Sequence, residues 1–288
     1  MRDSLYDRVA EETASIVIRR YSTSFGLASR LLGTGVRQHV ENIYALVRVA
    51  DEIVDGGAEI DTLEAARSLN ELEAETENAM AIGFSSNLVV HAFALTSRDV
   101  GFGSELTEPF FESMRTDLSQ NRHYQESFER YVYGSAEVVG LMCLRAFLQG
   151  QSVADPGRFE TGARALGAAF QKVNFLRDLA ADFETLGRSY FPDVAVDSFD
   201  EATKARLLDD IDADLAVSAA VVPDLPPSSR RAVALAQSLF AELSSRLRAT
   251  PASQLVRARV RVPNPVKARL ALAAALYRPG SARCAPSS

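Results

Sequence analysis

The chain has 288 residues, 47% of them hydrophobic, which is enough apolar material for a large buried core. Its formal net charge of -7 argues against broad nucleic-acid binding, and its two distant cysteines, Cys143 and Cys284, argue against a disulfide or zinc framework and for a reducing, cytoplasmic setting. No run reaches ~18 uninterrupted apolar residues, and the first residues are charged where a signal peptide is apolar, so neither a membrane span nor a secretory leader is expected.

Apolar residues recur at helical spacing almost from end to end, and strand-like alternation is nearly absent. A first helix is expected from about Asp3 to Arg20. Ser22-Thr23-Ser24 interrupts it; hydroxyls there either seat a phosphate or cap the next helix. Gly33-Thr34-Gly35 reads as a turn. From about Val36 to Asp55, Tyr44, Arg48, Asp51 and Asp55 fall at i, i+4, i+7 and i+11 on one helix face, while Leu46, Val47, Val49, Ile53 and Val54 are free to bury. Two carboxylates one turn apart repel, and a divalent cation removes that cost. Gly56-Gly57 would stop this helix.

Asp61 to Met80 reads as an acidic, solvated helix, followed by helices over Asn87 to Asp99 and Ser104 to Leu118. His39, His91 and His123 lack partners at metal spacing and read as structural. Ser127 to Gln149 reads as one apolar helix carrying Gly134, Ser135, Ala136 and Gly140. Each helical Gly costs about 0.5–1 kcal/mol relative to Ala, so something must approach closely there, either a neighbouring helix or a long ligand. Arg158 to Phe183 then repeats the polar stripe, with Gln171, Asn174, Asp178 and Asp182 at i, i+3, i+7 and i+11. Gly187 and Pro192 bracket a loop, Arg188 to Phe191, expected over a cavity mouth. Helices over Phe199 to Ala220, Pro226 to Ala249 and Asn264 to Tyr277 complete one all-α domain over residues 1–280, with a disordered tail at 281–288. Asp209, Asp210, Asp212 and Asp214 lack a periodic stripe and read as a solvated face.

A single DxxxD is more often a solvated face. Two of them, each with a polar residue seven positions before its first Asp and each set in apolar helix, would form an oxygen cage when opposed. Such a cage suits Mg²⁺, with Mn²⁺ as the alternative, while Arg48 and Arg177 suit phosphate oxygens.

These residues carry a family resemblance. Tyr21-Ser22-Thr23-Ser24-Phe25, Ala28, Leu31-Leu32, Arg37 and the run Tyr44 to Asp55 resemble the first signature of squalene and phytoene synthases. Gln171 to Asp182 with Gly187 to Pro192 resembles the second, and Tyr131 to Gly140 the helix between them. The resemblance extends from about Tyr6 to about Leu272. It implies an isoprenoid-synthase helical bundle around a central active-site cavity. It further implies a Mg²⁺-dependent prenyltransferase of carotenoid biosynthesis. Such an enzyme joins two geranylgeranyl diphosphates head to head through a cyclopropylcarbinyl diphosphate, giving phytoene without NADPH. The metal positions would be Asp51, Asp55, Asn174, Asp178 and Asp182. Arg48, Arg177 and Gln171 would hold diphosphate oxygens, and Ser22, Thr23, Ser24 and Tyr44 would seat the first diphosphate. Tyr133 and Tyr190 would line the reacting centre, their ordinary role being packed aromatics.

Two positions depart from the pattern: Glu137 replaces a small residue, and Phe240 stands near where the family often has a tyrosine. The alternatives are a squalene or dehydrosqualene synthase using farnesyl diphosphate, a terpene cyclase, and an inactive lipid-binding relative. The Asp178/Asp182 pair argues against the cyclase and the intact carboxylates against the inactive relative. No acidic residue follows Glu242, whereas Arg257, Arg259, Arg261, Lys267 and Arg269 alternate with apolar residues. That segment is expected either near the diphosphates or against the inner membrane surface.

Overall fold

The first helix, α1 (Leu5–Tyr21), starts at a capping box in which Ser4 and Asp7 exchange side-chain and backbone hydrogen bonds of 3.0 Å. The computed structural model describes residues 4–55, 61–119, 123–186, 190–192, 194 and 198–277, with side chains 180–186 excepted. After α1 come α2 (Ser24–Ser29), α3 (Thr34–Asp55), α4 (Thr62–Ile82), α5 (Leu88–Val100) and α6 (Ser104–Ser119). Next are α7 (Gln125–Val132), a π-helical turn (Tyr133–Glu137) and α8 (Val138–Leu148). The chain continues with α9 (Pro156–Leu186), α10 (Glu201–Ala219), a 3₁₀ turn (Val222–Asp224), α11 (Pro227–Ala249), α12 (Ala252–Leu255) and α13 (Asn264–Ala275). No strand occurs among the described residues. The expected stops at Gly56-Gly57, the loop residues Arg188 and Ser189, and the tail lie outside them.

Two apolar clusters organise the bundle. One joins α1, α3, α4, α5 and α6 through Ile43, Leu46, Leu69, Phe93, Phe110 and Phe111. The other joins α7 and α9 to α12 through Phe128, Leu176, Leu208, Ile211, Leu243 and Leu255. Full burial of each such side chain stabilises by about 1.5–3 kcal/mol. The run 125–148 is long and apolar enough to cross a membrane by composition, yet here it packs against α3, α6 and α9 between the two clusters.

The expected single helix at 127–149 is interrupted by the π-turn. Gly134 and Gly140 show why small residues stand beside it. A Cβ on Gly134 would collide with the Pro109 carbonyl and the Ser113 hydroxyl of α6, and one on Gly140 with the Ala163 carbonyl of α9. Neighbouring backbone therefore accounts for both glycines.

The aspartates of α10 are also more engaged than a solvated face. Lys172 reaches Asp210 at 2.6 Å and Asp214 at 2.8 Å, and Arg248 reaches Asp209 at 2.9 Å and Asp212 at 2.8 Å. The partners lie on α9 and α11, too far along the chain for helical spacing to reveal them.

Gly134→Ala should lower stability by about 1–3 kcal/mol through overpacking against backbone. Gly35→Ala, with nothing within 4 Å of its Cβ, should be neutral or stabilising by up to about 1 kcal/mol. Thermal melts of the two variants decide; equal shifts would contradict the close packing of α7 and α8 on α6.

Candidate active site

Between the two clusters lies a cavity of about 970 Å³. Its chemistry is graded along the helices that line it. On α9 the lining residues run from Asp178 and Asn174 through Gln171, Phe170, Gly167 and Ala163 to Phe159. Asp178 and Phe159 are nineteen residues apart, about 28 Å of helix axis. On α3 the lining runs from Asp55, Asp51 and Arg48 to Ile43 and Val40. One end is thus polar and charged, and the other apolar.

At the polar end, Arg48 contacts Glu52, lies 3.9 Å from Asp51 and stacks its guanidinium 4.7 Å from the Tyr21 ring centroid. Across the cavity, Asp178 accepts from Arg177 Nη2 at 2.5 Å and from Arg259 Nε at 2.6 Å. Lys267 Nζ donates to Thr23 Oγ1 at 3.1 Å, drawing the first turn of α13 onto the start of α2. Two buried polar atoms facing this space, Arg48 Nε and Ser135 Oγ, have no hydrogen-bond partner among the described residues. Buried polar groups are nearly always satisfied, so such orphans mark where a ligand's polar atoms belong.

The Asp51 carboxyl is pushed up to about 7. Desolvation is the main cause; Asp55, Asp117 and Glu52 add to it, and Arg48 opposes it. Its anionic form is therefore under-compensated. Burial likewise raises the Tyr44 phenol and, with Asp117 adding, the Tyr131 phenol, so both remain protonated donors. A divalent cation fits this donor set, because Asp51, Asp55, Asn174 and Asp178 present only oxygen ligands to one cavity. No three His, Cys, Asp or Glu side chains among the described residues form a complete cation shell, so a cation held here would draw further oxygens from a ligand.

The cavity gathers Ser22, Thr23, Ser24, Tyr44, Arg48, Asp51, Asp55, Gln171, Asn174, Arg177, Asp178 and Tyr190. Ser22 is already used as a cap, accepting from the Phe25 amide at 3.0 Å. Asp182 lies on α9, but its side chain is outside the described set. Tyr133 is a correction: it does not line the cavity, and the Arg164 guanidinium sits over its ring at 5.2 Å. At α-helical spacing Tyr133 shares a face with Gly140, seven residues on. The wider π-turn adds a residue to that turn and rotates the chain before it by about 100°. Tyr131 faces the cavity instead. Glu137 also points away and pairs with Arg164 at 2.6 Å. Phe240 lies in the wall, stacked on Phe170 with centroids 3.7 Å apart, and supplies no hydroxyl.

Two site residues were not anticipated, Asp117 and Tyr131, whereas Arg259 and Lys267, expected either near diphosphates or against a membrane, line the charged end of the cavity. Tyr131 Oη donates to Asp117 at 2.7 Å, and His123 packs on the rings of Tyr131 and Tyr190. Asp117 is only 7% exposed and continues the buried stripe of Phe110 and Met114 on α6. A carboxylate on an apolar stripe was the available signal.

Residues 18–265 match the squalene/phytoene synthase family. A chloroplastic phytoene synthase 3 of Zea mays is 33% identical over 184 residues, 61% of this chain but 41% of the relative. The chain therefore spans less than half of that plant protein. A 15-cis-phytoene synthase of Paracoccus sp. is 27% identical over 254 residues, 82% of this chain and 81% of the relative. A solved dehydrosqualene synthase in complex with ligand superposes with a TM-score of 0.79 at 21% identity, covering 93% of this chain and 96% of that one. At that identity the likeness establishes the fold, a helical bundle of the isoprenoid-synthase type.

The Asp51 environment makes a testable sign. Its folded value lies above its ordinary 3.8, so between about 4 and about 7 the folded state binds more proton than the unfolded, and stability falls as pH rises. In chelator, the melting temperature of Asp51→Asn minus that of wild type should grow from pH 5 to pH 8. A difference that stays constant would show that Asp51 is not strained.

Proposed function

The chain belongs to the squalene/phytoene synthase family, and we propose that it joins two molecules of geranylgeranyl diphosphate head to head to form phytoene in carotenoid biosynthesis. The graded cavity carries this reading: it offers charge for diphosphates at one end and a long apolar wall for prenyl chains at the other. In the first half-reaction the carbon–oxygen bond of one substrate ionises with release of its diphosphate, the double bond of the second attacks the resulting cation, and loss of a proton closes the ring of a cyclopropylcarbinyl diphosphate. That intermediate ionises, rearranges and loses a proton, and no reductant is consumed.

Asp51, Asp55, Asn174 and Asp178 are the residues that would hold Mg²⁺, with Asp182 assigned from its spacing. Mg²⁺ bound there would act as a Lewis acid and template for the leaving diphosphate. Arg48, Arg177, Arg259 and Lys267 bring positive charge to the same oxygens. Arg177 and Arg259 pair with Asp178. A diphosphate bound beside them would compete for those arginines and leave the carboxylate able to hold a cation. Gln171, Thr23, Ser24 and the protonated phenol of Tyr44 supply hydrogen-bond donors, while Tyr131 donates its hydrogen bond to Asp117 and fixes that carboxylate beside the site. Below them Phe170 and Phe240 stack, as do Phe175 and Tyr190 with centroids 4.0 Å apart. Their ring faces are attractive to positive charge, and the apolar wall keeps water from a carbocation.

The test is incubation with geranylgeranyl or farnesyl diphosphate and Mg²⁺, with and without NADPH, followed by product mass. A forty-carbon hydrocarbon formed without NADPH is expected. A product of thirty carbons alone, or strict need for NADPH, would move the assignment to the farnesyl-using branch.

Asp51→Ala and Asp178→Ala should each lower turnover at least about a hundredfold with helicity unchanged in circular dichroism. Tyr131→Phe should lower it at least about tenfold, whereas Tyr133→Phe should stay within about twofold of wild type. Reversed effects for the two tyrosines would overturn the assignment of Tyr131 to the cavity.

A further inference from the structure

Helix α13 presents apolar side chains on two sides. Its inner face, Leu270, Ala271 and Ala274, packs towards α11 and α2. Its outer face carries Pro265, Ala268, Leu272 and Leu276 at i, i+3, i+7 and i+11, all exposed; Leu272 is 64% and Leu276 71% open to solvent. Arg269 is exposed on the same side, so Leu272 and Leu276 form an apolar stripe edged by positive charge that no described residue covers.

Charge selects the occupant. The chain as a whole is acidic, but the residues after Glu242 include nine Lys or Arg and no Asp or Glu. Arg257 and Arg269, both exposed, have no ion-pair partner among the described residues. A second copy would bring the same positive charge to the contact. Residues 278–288, Arg-Pro-Gly-Ser-Ala-Arg-Cys-Ala-Pro-Ser-Ser, contain no large apolar side chain to cover a leucine stripe. An anionic surface with an apolar interior satisfies both features. We infer that the outer face of α13, which bears Arg269, together with the basic segment before it that carries Arg257, docks the protein on an anionic lipid bilayer.

The placement gives the contact a use. Lys267, on the inner side of α13, lines the cavity, as do Arg259 and Val262 just before it. Docking through the outer side sets this wall of the cavity against the bilayer. If the function proposed above holds, substrate tails and an oily product would pass there; the docking itself does not depend on that function, because it is read without substrate.

The experiment is co-sedimentation of the full chain with vesicles of phosphatidylcholine alone and of phosphatidylcholine with phosphatidylglycerol in equal parts, at low and high salt. Binding is expected to the mixed vesicles, weakened by salt. Arg257→Ser and Arg269→Ser should each weaken it about fivefold, while Arg206→Ser on α10 should not. The double variant Leu272→Ser with Leu276→Ser should lose most binding while keeping wild-type helicity and turnover on detergent-dispersed substrate. Absent binding, or equal binding to neutral vesicles, would overturn the inference. So would a wild-type dimer, seen by light scattering, that the double leucine variant converts to monomer while vesicle binding stays absent; a second copy would then be the occupant.

Discussion

Carboxylates held close together in a half-desolvated cleft are the constraint on which this structure depends. Two unit charges 4 Å apart interact by about 4 kcal/mol at an effective dielectric near 20, so an uncompensated pair is expensive. The protein neutralises its two aspartate stripes unequally. Asp178 is clasped by Arg177 and Arg259. Among the described residues Asp51 pairs with Arg48 alone, which it shares with Glu52, and it feels Asp55 and Asp117 as well. One side of the mouth is thus balanced by protein groups and the other is strained. Under the proposed function, a diphosphate with a divalent cation would answer both conditions, offering anionic oxygens to the arginines and positive charge to the aspartates.

Holding the strain requires walls that cannot relax inward. The glycine contacts serve that purpose. Gly134 against α6, and Gly140 and Gly167 against backbone of facing helices, bring α7, α8 and the π-turn to backbone contact on two sides. Close-packed interiors transmit strain rather than absorb it. Ser135, Ala136, Val139 and Gly140 are left lining open space between two cores that are each filled. The Phe170–Phe240 and Phe175–Tyr190 stacks stiffen the opposite wall with large side chains of few rotatable bonds.

What helical spacing encodes was legible in the chain. The stripes on α3 and α9 are local patterns, and Asp51, Asp55, Asn174 and Asp178 do share one cavity. Helix ends also fell within a few residues of their observed places, except where Thr34 begins α3 rather than lying in a turn. What depends on distant pairing was not legible. Asp117 meets Tyr131 across two helices, Arg259 meets Asp178 from 81 residues away, and Lys172 meets the α10 aspartates from 38 and 42 residues away. The misplacement of Tyr133 has another origin: a periodicity argument assumes 3.6 residues per turn throughout, and a π-turn breaks that assumption without leaving a compositional mark.

The segment from Val256 to Lys267 joins these levels. Until α13 begins at Asn264 it has no helix, and Val256, Val260 and Val262 are held by packing against the second apolar cluster. Its basic side chains are then delivered to two different parts of the mouth, Arg259 to Asp178 on α9 and Lys267 to Thr23 beside α2. The Lys267–Thr23 bond spans 244 residues of sequence, so the first and last parts of the chain meet at the site. The charge balance of the mouth is therefore a product of tertiary docking. If the C-terminal segment came away, Asp178 would lose one of its two arginines and the cavity would lose the wall containing Val260 and Val262. Fold completion and site assembly are consequently the same event at this edge of the bundle.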